Sequence, residues 1–551
     1  MSAKHNKKTK TIKSVSERYT LQNVFVNYFL VVAFAVFPFF VNLTLNAQFP
    51  FLHFDNGYFE IRHQKYYFFL IMAAATVIAE VMLLLTKSSE ENKQANPAKK
   101  YILNSLSFTD WAVIGFILVC AISTLFSAHI DTALTGEDNG HGRNNGLILY
   151  LCYAAIYFVI TRLYRYKEYV FTVMAIVNGV IFLIALLNGF HIDPLNMFAP
   201  FKDGVDNNVY FNFITTIGNK NMFSSHICVT LPIMMTMFVH SESTRRRIVY
   251  LVSTLLGGMA AVVCDSDSVV LGMGIFIAVF LVLYCRQPKR LGRFCVSVFA
   301  LLCGIKLVNL FAILSNGNYK ELGAIPFKLM QSNLTFVLIA FFAVVAAVML
   351  LTAHQLPALR FHAAVQIALG VLFGLAVIAG VGVIIYYSVF NTKQDLGELE
   401  RTLRFSDSWG THRGFMWRKS AEAFVNFNVF EKLFGKGPEN FYYVFSPYFG
   451  ELYDRFGDTS TDAAHNEYLN YLINVGILGL ASYLAFSFGA MFRGIKAAAK
   501  KPVTLVFVSV IVAYLAQAVV NIALPIATPL FILCIALCEA MARQTKKEVL
   551  P

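Results

Sequence analysis

Apolar positions run through this chain in long unbroken windows separated by short polar connections. Fourteen windows stand out, at 22–46, 66–86, 109–128, 146–164, 169–190, 221–240, 248–264, 268–285, 294–314, 333–353, 362–389, 465–489, 503–523 and 526–543. Each has the length a helix needs to cross a bilayer. Membrane-crossing strands would be shorter and would alternate apolar with polar residues. The pattern therefore predicts an all-α polytopic membrane protein with about 14 transmembrane helices. The first window is too long for the apolar core of a signal peptide, and no small-residue cleavage site follows it, so it is expected to be a span.

One connection breaks the rhythm. Residues 390–464 form a polar stretch of about 75 residues, a length uncommon without a purpose. Within it, 413–430 places Met416, Ala423, Phe424 and Phe427 at helical spacing. That predicts an amphipathic helix lying on the outer membrane surface. Leu433-Phe434-Gly435-Lys436-Gly437-Pro438 follows as a tight turn. The expected organisation is a cytoplasmic tail (1–21), helices 1–11 (22–389), one large extracytoplasmic loop (390–464), helices 12–14 (465–543) and a cytoplasmic tail (544–551). The polar linker at 88–108 reads as a cytoplasmic spacer, and no internal repeat or matched pair of broken spans points to a repeat-built transporter.

Composition agrees with the pattern: 57% hydrophobic, 14% charged, mean hydropathy +0.60, against about a quarter charged in soluble domains. The net charge of +13 raises the possibility of nucleic-acid binding, but its distribution argues for a membrane instead. Basic clusters at Lys7-Lys8-Lys10, Lys99-Lys100, Arg245-Arg246-Arg247, Arg286-Lys289-Arg290-Arg293, Lys496-Lys500-Lys501 and Arg543-Lys546-Lys547 all fall on one side when the spans are counted. Asp131-Glu137-Asp138, Asp265-Asp267 and the long loop fall on the other. This places both termini in the cytoplasm of a multi-pass cytoplasmic-membrane protein, with the bilayer as a partner and no nucleic acid. The nine cysteines lie in or beside the windows and none in the loop, so packing rather than a disulfide framework is expected.

The chemistry-bearing residues gather at the end of the loop. His465 opens the twelfth window, and imidazole both takes and returns a proton near neutral pH. A helix-cap role is the alternative. The loop's cations are mostly arginines: Arg401, Arg404, Arg413, Arg418 and Arg455. Guanidinium grips phosphate oxygens bidentately and keeps its charge. Two readings stand: ion pairs with Asp407, Glu422, Glu451, Asp454 and Asp458, or a seat for an anionic ligand. Arg143, in His141-Gly142-Arg143-Asn144-Asn145-Gly146, is on the same side. Asn466, Asn470 and Asn474 share one helix face, turned to a cavity or a neighbouring helix, and Gly476 and Gly479 suit close contact. Asp265 and Asp267 make a weak metal pair at best. Glu80, Lys306 and Glu539 are intramembrane charges, a functional signal by default; Glu80 and Glu539, near the cytoplasmic ends, are better explained by pairing or snorkelling, and His226 by core packing. No P-loop is present.

His465-Asn466-x-x-Leu469 with Gly476-Ile-x-Gly479, after Arg413-x-x-x-Trp417 and Leu433-Phe434-Gly435-x-Gly437, resembles the O-antigen ligase/O-antigen polymerase superfamily. Gly218-Asn219-Lys220-Asn221 looks like that family's Gly-Asn-x-Asn segment, and Arg143-x-x-Gly146 resembles its early outer arginine. The resemblance covers about 130–485, most specifically 413–480. One departure is Asp265-Ser266-Asp267-Ser268, where the family often has a Ser-Arg pair. The resemblance implies metal-independent, cofactor-free glycosyl transfer in bacterial envelope biogenesis. The donor is a glycan on a polyprenyl (undecaprenyl-type) pyrophosphate, and the acceptor is a hydroxyl on a glycan, lipid or protein. It assigns catalysis to His465 and Arg413, with substrate binding expected of Arg143, Arg418, Asn466, Asn219 and Asn221. A flippase for lipid-linked oligosaccharide, or a polysaccharide transporter, is the alternative.

Overall fold

The computed structural model describes residues 21–40, 57–91, 106–137, 142–195, 213–316, 319–320, 322–353, 361–397 and 400–545. The N-terminal tail up to Thr20, most of the 88–108 linker, Asp138, His141 and residues 546–551 lie outside them, as does the side chain of Arg401. Among the described residues twelve helices are long and apolar enough to cross a membrane, from Leu21–Phe39 to Pro502–Val520. The other two predicted windows are also helical. Leu147–Leu163 is one residue short of the eighteen taken for a span, and Thr528–Thr545 carries Glu539 and Arg543. The protein is an all-α polytopic membrane protein. Its one sheet among the described residues pairs Phe213 with Asn219 and Ile214 with Gly218.

Small residues decide how closely the helices approach. A Cβ on Gly258 would lie 2.2 Å from the Leu301 carbonyl oxygen, and one on Gly304 would lie 2.1 Å from that of Leu255. Two glycines thus let Thr244–Val263 and Pro288–Leu314 touch backbone to backbone, the expected way of gaining packing where lipid supplies no hydrophobic drive. The Leu21–Phe39 helix ends in a π-helical turn, Val32–Val36, followed by Pro38. The buried Lys65 ammonium donates to the carbonyls of Phe37, Pro38 and Phe40 at 2.8, 2.9 and 3.0 Å. One cation therefore satisfies carbonyls that the helix end leaves open.

The long loop is a compact cap with its own core. Phe415, Met416, Phe427, Phe441, Phe445, Leu452, Ala464 and Ile473 pack together apart from the main bundle core. Its principal helix, Trp409–Val425, contains the predicted amphipathic face. Met416, Ala423 and Phe427 are buried in the protein, and Phe424 packs against the cap core. The apolar face is thus used within the cap, where Phe441 and Phe445 of the short helix 441–445 and Leu452 of 449–456 pack with it.

Glycine docks this cap on the bundle. The Glu467–Ala498 helix is broken at Gly476, whose φ of +69° is left-handed. The break leaves two carbonyls for the cap: Lys436 N–H donates to Ile473 O at 3.1 Å, and Gly437 N–H to Asn474 O at 2.9 Å. Gly435, also left-handed at +78°, has no room for a side chain, since a Cβ would sit 2.3 Å from the Asn474 carbonyl. Gly476, expected to allow close helix contact, does so: a Cβ there would lie 2.4 Å from the Leu433 carbonyl. Its left-handed φ also turns the helix so that the Leu433–Gly437 turn can hydrogen-bond to it.

Candidate active site at the loop end of the bundle

His465 lies at the junction of cap and bundle, two residues before the Glu467–Ala498 helix. Its φ is +50°, a conformation that a residue with a Cβ holds only when its surroundings impose it. The surroundings are specific. Trp417 Nε1–H donates to the Ala464 carbonyl at 2.9 Å, and Ala464 N–H donates to Asn470 Oδ1 at 2.8 Å. Asn466 Oδ1 accepts from Leu469 N–H at 3.0 Å and caps the helix. The asparagine stripe therefore serves mostly to fix His465: Asn466 takes the cap role weighed for the histidine, and Asn470 ties the preceding residue. Asn474 is buried and offers its carbonyl to Ser123 and Gly437.

The charges of Arg143 and Arg413, from two distant parts of the chain, both act on the imidazole. Burial is the main reason the His465 pKa falls to about 3. The two guanidiniums push the same way, and Asp462 opposes them. His465 is consequently a neutral imidazole at working pH, and its Nδ1 is buried without a hydrogen-bond partner among the described residues. Arg143 donates its N–H to Glu439 Oε2 at 2.7 Å and its guanidinium to Asp462 Oδ1. Burial would raise Asp462, but the charge and hydrogen bond of Arg143, with Arg62 and His465 adding, hold it below the usual carboxylate range. Glu439 goes the other way. Burial lifts it to about 7, against the Arg143 N–H and charge. Arg413 forms no ion pair among the described residues, and burial pulls its pKa down with Asp267 opposing.

The other predicted residues are placed elsewhere. Arg418 clasps Asp407 bidentately at 2.9 and 2.8 Å, and Arg455 shares that carboxylate at 2.7 Å while reaching Glu451 at 2.8 Å. Arg404 pairs with Glu400. For these arginines the ion-pair reading describes the structure, while Arg413 is the exception. Asn219 caps the Lys220–His240 helix through Asn221 N–H and Met222 N–H. The Asn221 carbonyl accepts from Ser224, Ser225 and Asn521. Asp265 accepts from Gly323 N–H and Ala324 N–H and lies 3.7 Å from Lys220, while Asp267 accepts from Ile325 N–H. The two carboxylates hold the segment leading into the Ile325–Gln331 helix. No cluster with metal-ligand character occurs among the described residues.

Sequence reasoning gave no role to Asp462 or Glu439. Asp462 had a signal, a carboxylate three residues before the histidine. Glu439 had none, because a glutamate in a turn beside Asn440 reads as exposed, yet it is buried.

No curated protein matches the chain. Residues 327–484 match the family model described as O-Antigen ligase. That segment contains Arg413, Trp417, Gly435, Glu439, Asp462, His465 and Gly476, while Arg143 enters the site from outside it. On an all-α membrane bundle, the segment 327–484, which holds both the histidine and its loop arginine, is similar to the O-Antigen ligase family.

Proposed function

We propose that the protein transfers a glycan from a polyprenyl pyrophosphate to an acceptor hydroxyl at the outer face of the cytoplasmic membrane, without a metal. The observation that carries this reading is a strained His465, at the junction of cap and bundle, on which the charges of Arg143 and Arg413 act. Glycosyl transfer from such a donor needs a base for the attacking hydroxyl and positive charge for the departing pyrophosphate. A neutral imidazole supplies the first. Guanidiniums in a partly dehydrated site supply the second without reorganising as charge develops. The pyrophosphate bond is itself the activation, so no nucleotide is called for. In this reading Arg413 and Arg143 grip the pyrophosphate, Trp417, Asn466 and Asn470 hold the histidine in place, and the cap separates the reacting centre from bulk water. Arg418 belongs to the rim, and Asn219 and Asn221 shape the neighbouring wall.

The intramembrane charges agree with a fixed bundle rather than a moving translocation path. Glu539 pairs with Arg493 at 2.8 Å and Arg543 at 3.1 Å, and Lys306 donates to the Met330 carbonyl at 2.8 Å. His226 is bound to Asn178 at 2.6 Å inside the core. The test is transfer in proteoliposomes containing a polyprenyl-pyrophosphate-linked glycan and a candidate acceptor. His465→Ala is expected to insert and fold normally but to transfer nothing measurable. Retained transfer, or glycolipid translocation in the absence of acceptor, overturns the proposal.

A further inference from the structure

The anion seat is already filled. Arg143 is held by Glu439 at its backbone and by Asp462 at its guanidinium. A side chain meant for pyrophosphate is thus paired with a carboxylate, at a position where the arginine is only 8% exposed. Such a pair gains little over its desolvation cost, so stability alone is a poor reason for it. Asp462 and His465 belong to the same pinned stretch. Thr461 Oγ donates to the Ala463 carbonyl at 3.0 Å, and Ala464 is tied at both its N–H and its carbonyl. The charged groups acting on the imidazole are Arg143, Arg413 and Asp462, with Arg62 acting on Asp462 and Glu439 on Arg143. Among those three, Asp462 is the only one that favours a protonated ring.

We propose that Asp462 exchanges partners during the reaction: it holds Arg143 in the resting protein, yields it to the incoming pyrophosphate, and then serves as counter-ion to the His465 imidazolium. This rests on the glycan-transfer reading above. A pyrophosphate carries more negative charge than one carboxylate and offers two oxygens to a guanidinium fork, so it wins Arg143. In the transfer step the acceptor O–H gives its proton to His465, and its oxygen bonds to the anomeric carbon. The bond from that carbon to the phosphate oxygen breaks, and the electron pair leaves on pyrophosphate. The proton would land on a ring facing two cations unless a released carboxylate stood beside it. Donor binding and base strength are thereby coupled through one ion pair, and His465 stays a weak base while the seat is empty. Asp462 is a positioning residue that acts through Arg143 and His465.

The test uses the full-length protein in nanodiscs, with farnesyl pyrophosphate as binding probe and transfer turnover as second readout. Asp462→Asn is expected to bind the probe about threefold tighter, because Arg143 is no longer contested, while turnover falls about 10- to 100-fold. Asp462→Glu keeps the charge, and its probe affinity should stay within about twofold of wild type and its turnover within about tenfold. A structural role would weaken binding and turnover together in Asp462→Asn, and that result overturns the exchange, as does unchanged turnover. Should the Asn variant fail to fold, loss of both readouts in Asp462→Glu overturns it instead. If wild type does not bind the probe, or Arg143→Ala binds it equally well, the glycan-transfer reading itself fails, and the two failures are distinguishable.

Discussion

Two clusters of buried charge sit at opposite ends of the same helices, and they are built differently. At the end away from the cap, Asp110 is saturated. It accepts from Tyr157 at 2.9 Å, from Arg162 at 3.1 and 2.9 Å, from Ser107 N–H at 2.9 Å and from Arg543. That carboxylate ties three helices, Phe108–Leu125, Leu147–Leu163 and Thr528–Thr545, and Arg493 joins a fourth through Glu539. At the cap end, Arg413 has no ion pair among the described residues, His465 Nδ1 has no partner, and His465 and Glu439 both hold left-handed backbone conformations. A carboxylate whose acceptor sites are filled locks helices together at one end, whereas at the cap end a buried imidazole nitrogen is left open.

Breaking this contrast is direct. The largest effect is expected for His465→Ala, a loss of about 10²–10⁴-fold or more in transfer with unchanged thermal stability, read by turnover and by unfolding in detergent. Asp110→Ala should do the reverse. It strands Arg162 and Arg543 in the interior and costs about 3–5 kcal/mol of stability, read by thermal unfolding, while leaving pyrophosphate affinity unchanged in the folded fraction. Arg413→Ala is expected to lower turnover about 10²–10³-fold. Arg413→Lys should recover only part of it, because a point charge does not replace a planar fork.

A subtler contrast concerns pH. Glu439 titrates at about 7 when folded, above its ordinary carboxylate value of 4.5. Between these values the folded protein keeps a proton that the unfolded chain releases. Its contribution to stability is therefore complete below about pH 4.5 and is lost as pH rises through 7. His465 has the opposite sign. Its folded value of about 3 lies below its ordinary 6.5, so its contribution is present above 6.5 and lost as pH falls towards 3. Glu439→Gln, a permanently uncharged mimic, should remove the loss between pH 5 and 8. The check is the difference in unfolding temperature between variant and wild type across that range, which isolates Glu439 from the histidine. The smallest effect is expected for Trp417→Phe. It deletes the hydrogen bond to the Ala464 carbonyl, worth about 0.5–1.5 kcal/mol, and should lower turnover several-fold through looser placement of His465.

Much of the architecture was legible in the sequence. Among the described residues every predicted window holds a helix, because a long continuous apolar run satisfies its backbone in lipid only by hydrogen-bonding within itself. His465 drew attention as an ionisable group at the mouth of a span, and Arg413 as a loop arginine on the side otherwise poor in basic charge; the structure has the charge of one acting on the other. Arg418 looked equivalent to Arg413 in sequence, and only packing separated them: Asp407 is folded against one and not the other. The 413–430 pattern showed an apolar face but not what would cover it, since periodicity is the same whether lipid or protein takes that face. Gly476 read as a close-contact glycine, which it is, but its left-handed φ leaves no trace in composition.

Hydrophobic periodicity thus determined the class of fold and the position of the wet loop, because burying apolar side chains is a local property of each segment. The tertiary structure alone decided which charges meet. Arg143 and His465 are more than three hundred positions apart, and only the fold lets the guanidinium pair with Asp462 while its charge, with burial, keeps the imidazole neutral.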